Sequence, residues 1–412
     1  MNDRSTNDSD DHIDRSDRSD RSDRDDRLTT PWGEHALSRF PEDPRERLRA
    51  WDASDAYLLG HLAERQVPLD GTVVVVGDRW GALVTALAAH RPVQITDSHL
   101  TREATRLNLE RNGAEPGSVR LLTTQDPPPD RVDVLLVRVP KSLALLEDQL
   151  LRLAPALHEG TVVVGTGMVK EIHTSTLRLF ERIVGPTRTS PAVRKARLIF
   201  AEPDPALRRP ANPWPLGYRL PDDVGPLLSG RPVVNHAGVF CADRLDIGTR
   251  FFLRHLPEPG VFRRVVDLGC GNGVVGTAVA LADPDAELLF TDESFQAVAS
   301  ARATYRANEA AGRANDAAGR AEFRVGDGLA GVPDGSVDLV LNNPPFHSHQ
   351  ATTDATAWRM FTGARRVLRP GGELWVVGNR HLGYHVKLRR LFGNSRLVAS
   401  DRKFVVLKAV KE

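Results

Sequence analysis

Apolar residues fall along this chain in two alternating patterns. Short, nearly continuous runs rich in Val, Ile and Leu occur at "TVVVVG" (72–77), "VQITD" (93–97), "VRLLT" (119–123), "VDVLLVRV" (132–139) and "TVVVG" (161–165). Between them, "ALVTALAAH" (82–90), "TREATRLNLERN" (101–112) and the stretch around 143–153 carry apolar positions at three- and four-residue intervals. The first pattern predicts strands buried on both faces, the second amphipathic helices, and their alternation predicts an α/β chain whose parallel sheet is covered on both sides. A proline-rich stretch at 202–232 interrupts the series. It then restarts: strand and glycine loop in "RVVDLGCGNG" (264–273), helix over 274–282, strand in "AELLFTD" (286–292) and helix over 294–310. Strands "AEFRVGD" (321–327) and "SVDLVLNN" (336–343), a helix around 354–369, the turn "RPGG" (369–372) and the strand "ELWVVGN" (373–379) complete it.

The second series repeats the first. "TVVVVGDRWGALVTALAAHRPVQITDS" aligns with "RVVDLGCGNGVVGTAVALADPDAELLFTDE", and "RVDVLLVRVPKS" with "SVDLVLNNPPFH". A repeat of domain length implies two α/β domains descended from one unit. The expected layout is a disordered charged tail over 1–30, a first domain over 31–201, a linker over 202–232 and a second domain over 233–412. The tail assignment rests on "DRSDRSDRSDRDD", which has no apolar residue to bury.

Composition narrows the picture. The chain has 412 residues, 41% hydrophobic and 26% charged, enough for two or three cores. A net charge of +1 argues against nucleic-acid binding through bulk charge, so any such contact must come from local patches. Two cysteines, Cys241 and Cys270, make neither a disulfide framework nor a metal cluster, which suits a cytoplasmic location and no bound metal. No apolar run reaches the ~18 residues needed to span a membrane.

Chemistry concentrates in the second half. Gly269, Gly271 and Gly273 separate a strand from a helix, where the backbone can turn sharply and a ligand can approach the helix N-terminus. Asp292 closes the next strand, 19 residues after Gly273, a spacing that suits a carboxylate on a ribose hydroxyl pair. The same loop reads as the dinucleotide fingerprint in "GNGVVG" (271–276), or as a tight turn without a ligand. Asp267, an acid at the strand end, favours S-adenosylmethionine, because a carboxylate sits poorly beside a pyrophosphate and well near a cationic methionine portion. Asp327 ends the third strand and is either a turn residue or an acceptor for the adenine amine.

"LNNPPFH" (341–347) ends the fourth strand in an amide followed by two prolines, which halt sheet pairing and stiffen the corner. With "VVDLGCGNG", "TDES" and "VGDGL" upstream in this order, it resembles Rossmann-like class I methyltransferases with an Asn-Pro-Pro-aromatic motif. Over about 45–412 the layout of a degenerate half, then "GVFCADRLDIGTRFFLRHLP" (238–257), then an intact half is similar to the ribosomal RNA guanine-N2 methyltransferases. The C-terminal stretch 376–411 resembles the large-subunit (23S) branch more than the small-subunit (16S) branch. The resemblance implies two tandem class I methyltransferase domains, the first degenerate, and S-adenosylmethionine as cofactor, held by Asp267, Gly269, Gly271, Gly273, Asp292, Asp327 and Asn343. It implies that the Asn343 side-chain oxygen and the Pro344 carbonyl accept the two hydrogens of the guanine 2-amino group while Phe346 stacks on the base. His347 is read as a local loop residue.

In the first half, Arg79 and Trp80 replace small residues, and an indole in the cofactor space would make it inactive. Its role is then either structural or RNA recognition, the latter suggested by basic groups such as Arg138 and Lys141 and by the clusters "VKLRR" (386–390) and "RHL" (380–382). Ribosomal RNA is the expected partner and a monomer the expected state, since a fused duplicate replaces a dimer. Two readings from other classes stand beside this one: an NAD(P)-linked oxidoreductase, which leaves "NNPPFH" unexplained, and a non-catalytic RNA-binding assembly factor.

Overall fold

The structure, a computed structural model, describes residues 27–43, 46, 48–309, 320–345 and 350–412. The first 26 residues, on which most of the tail reading falls, lie outside these. Arg27–Thr30 (β1) pairs antiparallel with Gly33–Ala36 (β2) and buries Leu28, so ordered structure begins within the stretch expected to be tail.

Two sheets of seven strands follow, and they share one topology. The first contains Val73–Val76 (β3), Val93–Thr96 (β4), Arg120–Thr123 (β5), Val132–Arg138 (β6), Leu157–Met168 (β7), Thr187–Thr189 (β8) and Ala196–Ala201 (β9), in the order β5-β4-β3-β6-β7-β9-β8. After a hairpin of Leu216–Arg219 (β10) and Pro232–Asn235 (β11), the second contains Arg264–Leu268 (β12), Glu287–Asp292 (β13), Ala321–Val325 (β14), Val337–Asn342 (β15), Leu368–Asn379 (β16), Arg396–Ser400 (β17) and Phe404–Val410 (β18). Its order, β14-β13-β12-β15-β16-β18-β17, is the same sequence of crossovers. The repeat seen in the sequence is therefore a repeat of architecture.

Five strands of each sheet run parallel. Only the strand next to them is reversed: β9 and β18 are each entered from a hairpin and pair antiparallel with both neighbours, β7 and β8 or β16 and β17. The central strand Val73–Val76 is apolar and buried throughout, because helices cover both faces.

The proline-rich stretch is only partly a linker. Leu220, Val224, Leu228 and Val233 of the β10–β11 region join the core of the second half. Strand β11 lies along the helix Phe295–Glu309, where Thr304 Oγ1 accepts from Val234 N at 3.0 Å and Ser300 Oγ accepts from His236 N at 2.8 Å. The two halves meet at the ends of β4 and β13. His99 N donates to the Glu293 carbonyl at 2.8 Å and Phe295 N to the Asp97 carbonyl at 2.9 Å, a reciprocal pair.

Candidate active site

Strands β13, β12 and β15 are neighbours, so Asp292, the glycine loop and Asn343 converge at the carboxyl edge of the second sheet, where such sheets bind ligands. The loop is pinned from below: Gly269 N and Cys270 N both donate to the Thr291 carbonyl, at 2.8 and 3.0 Å. Gly269, Gly271 and Gly273 have φ of +70°, +53° and +73°. A Cβ at Gly273 would lie 2.7 Å from Ala301 Cα, so packing alone demands glycine there. One at Gly271 would meet nothing within 4 Å. The middle glycine thus leaves open space over the sheet edge, a cradle for a ligand.

Asp292 bounds that cradle. Its Oδ2 accepts from Gly271 N at 3.0 Å and its Oδ1 from Ser294 N at 3.1 Å, which leaves lone pairs for hydroxyl donors. Burial raises its pKa, against hydrogen bonds that lower it. Asp327 carries an ion pair, Oδ1 to Arg359 Nη2 at 2.6 Å. Asp267 is placed differently from the other two. It is 3% exposed, and its Oδ2 accepts from Gly276 N at 2.8 Å, in the first turn of the helix Val274–Ala282. Burial lifts its pKa to about 7. Its carboxylate is engaged in fastening helix to strand, so it bears on a ligand through the loop.

The fourth strand ends in two amides with opposite assignments. Asn342 is fully buried, and its Nδ2 donates to the Leu268 carbonyl at 2.7 Å, tying β15 to β12. Asn343 donates through Nδ2 to Thr249 Oγ1 at 2.9 Å, while its Oδ1 is buried and has no hydrogen-bond partner among the described residues. Thr249 sits on the helix Ile247–Leu253, capped by Asp246, whose Oδ2 accepts from Thr249 N at 2.8 Å and from Thr249 Oγ1 at 3.2 Å. Pro344 is buried beside this corner and Pro345 exposed; Phe346 and His347 lie outside the described residues.

Sequence reading missed Thr249 and Asp246. Asp followed three residues later by Thr is a helix-start signal in "LDIGT", but nothing local says which strand end that helix faces. It also missed Asn272, whose Nδ2 donates to Asn235 Oδ1 at 3.0 Å and ties the glycine loop to the hairpin.

The first half shows how the same edge is closed. Register places Val76 opposite Val137 as Leu268 is opposite Asn342, so Arg138 stands where the second half has Asn343. Arg138 is 0% exposed and pairs with Asp52 at 2.8 Å, Glu171 at 3.0 Å and Asp55 at 3.3 Å. It is therefore no RNA-facing cation, which corrects the expectation from sequence; Lys141 is exposed. Arg79 occupies the place of Gly271 and binds Glu171 at 2.7 Å. Trp80 instead packs into the core of the first half, so the guanidinium groups, rather than the indole, fill this edge.

Two family models match the chain: the RLMG N-terminal domain over residues 25–205 and the methyltransferase small domain over residues 230–408. A Streptomyces coelicolor protein named ribosomal RNA large subunit methyltransferase G is 91% identical over 385 residues, covering 93% of this chain and 100% of that one. A Pseudomonas paraeruginosa protein of the same name is 51% identical over 389 residues, covering 93% and 99%. The chain belongs to the ribosomal RNA large subunit methyltransferase G family. Among solved structures, the Thermus thermophilus 16S rRNA N2 G1207 methyltransferase in complex with AdoMet and guanosine aligns with a TM-score of 0.70 at 20% identity, over 94% of this chain and 97% of that one. That likeness carries the duplicated methyltransferase fold. Family membership decides against the oxidoreductase and the non-catalytic readings and makes the chain an enzyme.

Proposed function

We propose that this chain transfers a methyl group from S-adenosylmethionine to the exocyclic N2 amine of one guanine in 23S ribosomal RNA. Its relatives carry the name of a large-subunit ribosomal RNA methyltransferase, and the observation that carries the chemistry is the buried, unpartnered Oδ1 of Asn343. A buried acceptor without a donor is costly unless a ligand supplies one.

The residues fit the cofactor. Gly271 leaves the cradle, Asp292 offers oxygens to a ribose, and Asp327 lies one strand further along for an adenine amine. Bound S-adenosylmethionine supplies an electrophilic methyl group on a sulfonium. The rest is positioning. The guanine amine donates its lone pair into the purine ring, so it is a poor nucleophile. The Asn343 Oδ1 and the Pro344 carbonyl accept its two hydrogens, which favours a pyramidal nitrogen whose lone pair points away from both acceptors. As the N–C bond forms and the C–S bond breaks, the nitrogen becomes acidic and its proton leaves to water, with no strong base required. Phe346 stacks on the base, taken out of its RNA stack.

The enzyme works in the cytoplasm as a monomer, its first half taking the place of a partner subunit. Among the described residues, no helix is long and apolar enough to cross a membrane.

Mass mapping of ribosomal RNA from cells lacking the protein tests this reading. One 23S guanosine loses its N2-methyl mark, and wild type restores it while Asn343→Ala does not. Loss of a 16S mark instead moves the substrate to the other subunit, and full restoration by Asn343→Ala overturns the mechanism.

A further inference from the structure

An asparagine amide has two ends of almost the same shape and opposite hydrogen-bonding sense, so its neighbours decide which end meets a ligand. For Asn343 the decision is traceable to a charge. The Asp246 carboxylate can only accept. Thr249 has a single hydroxyl hydrogen, and Asp246 Oδ2, already holding the Thr249 N–H at 2.8 Å, receives it at 3.2 Å. The hydroxyl therefore turns a lone pair toward Asn343, and only the NH₂ end can sit at 2.9 Å from it. The sequence carboxylate, hydroxyl, amide has one polarity, and it leaves Oδ1 as the unpartnered end. Without the anchor the amide could turn over and present NH₂ to the substrate amine, donor against donor.

The duplicate half carries the same contact with the chemistry exchanged. There the helix Ala53–Glu64 is capped by Asp52, and Asp55, three residues on, faces Arg138 Nε at 3.3 Å. Asp55 corresponds to Thr249, since each helix precedes the first strand of its sheet, packs on β7 and β9 or β16 and β18, and is capped by an aspartate three residues before it. Where the strand-end amide became a cation, the facing hydroxyl became a carboxylate. The third position after the cap is thus matched to the strand end in both halves.

We propose that Thr249, held by Asp246, is a positioning residue that fixes the polarity of the Asn343 amide for methyl transfer. This rests on the role of Asn343 proposed above. Thr249→Val keeps the shape and removes the hydroxyl, leaving a buried NH₂ without an acceptor. The expected result is a fall in kcat of roughly 10- to 100-fold, from a misaimed acceptor. KM for RNA and calorimetric affinity for S-adenosylhomocysteine change little, the pattern of an interaction made in the transition state. Thr249→Ser, which keeps the hydroxyl, recovers most of the activity. Added to Asn343→Ala, Thr249→Val costs nothing more, because the group it aims is gone. Should the valine variant not fold, Thr249→Ala against Thr249→Ser makes the same comparison. Wild-type kcat in a folded Thr249→Val, or additive losses in the double variant, overturns the proposal. Wild-type activity in Asn343→Ala alone instead overturns the reading beneath it, so the two failures are separable.

Discussion

Replacing Arg138 by Met tests whether the first half traded chemistry for a buried charge cluster. Arg138 is fully enclosed and contacts three carboxylates, of which Asp55 is the most buried at 9% side-chain exposure. Arg79 remains to pair with Glu171 at 2.7 Å and with Asp52 at 3.6 Å, so Asp55 is the group left without a cation. Its pKa already stands at about 6, raised by burial more than Arg138 lowers it. Removing one member of a buried ion pair costs about 3–5 kcal/mol, because the survivor keeps its desolvation penalty. Part of that loss is recoverable, since Asp55 in the variant takes up a proton at a still higher pH. Its folded pKa then lies further above its unfolded value, so the destabilisation is full above that pKa and shrinks as pH falls through it. The two halves need not melt together, so the assay is hydrogen exchange of peptides covering 52–64 and 132–138, at pH 8 and pH 6. Protection drops sharply at pH 8 and less at pH 6, while affinity for S-adenosylhomocysteine in the second half is retained. Adding Asp55→Leu restores most of the protection. Unchanged protection at pH 8, or a loss that grows toward acid, would refute the reasoning.

Gly271→Ala puts a methyl group into the cradle at φ +53°. S-Adenosylhomocysteine affinity by calorimetry falls at least about 10-fold for a strain of only about 1–2 kcal/mol, whereas Gly273→Ala, whose methyl would meet Ala301, lowers the melting temperature more. Burial raises the carboxyls of Asp78 and Asp267 to about 7, of Glu293 to about 7 and of Asp97 to about 6. Each binds a proton in the folded state where the unfolded chain has released it, so stability rises as pH falls through 7 to 6. The carboxyls of Asp52 and Glu171, held low, act in the opposite sense only below about pH 4. Urea midpoints are accordingly higher at pH 6 than at pH 8.

Most of the parallel core could be read from the sequence because its strands are continuous apolar runs bounded by glycine or acid, as in "TVVVVG" and "RVVDLG". The helix Leu143–Leu153 and the helix Val274–Ala282 match the expected bounds. Elements whose identity depends on what they pack against were missed. Strands β10 and β11 look like proline-rich linker until the hydroxyls of Thr304 and Ser300 pair with one of them. Arg138 looked like an available cation because its three acids lie about 30 and 90 residues away in sequence. In the candidate site, Gly271, Asp292 and Asn343 stood out in the sequence beside strand ends, and the sheet order brings those ends together. Asp267 was legible as a conspicuous acid, but its hydrogen bond to Gly276 belongs to the fold.

The inactive half also bears on the cofactor edge through a carboxylate that it kept. Asp97 ends β4 as Asp292 ends β13, yet its oxygens accept from Ser294 Oγ at 2.6 Å, from Gln296 N at 2.8 Å and from Thr124 Oγ1 at 2.9 Å. Glu293 answers from the other side, accepting from Ser98 Oγ at 2.6 Å. The residues gripped in this way, 293–296, follow directly on Asp292. The strand end proposed to present its oxygens to a ribose is thereby fixed on its C-terminal side by the duplicate, as it is fixed on the other by Gly271. Burying acids at such a junction costs stability above pH 7, and the cost is tolerable because each is met by hydroxyl or N–H donors. A second half on its own would keep the Gly271 contact to Asp292 but lose the grip on residues 293–296. In this chain the loss of one active site and the rigidity of the other follow from the same strand ends.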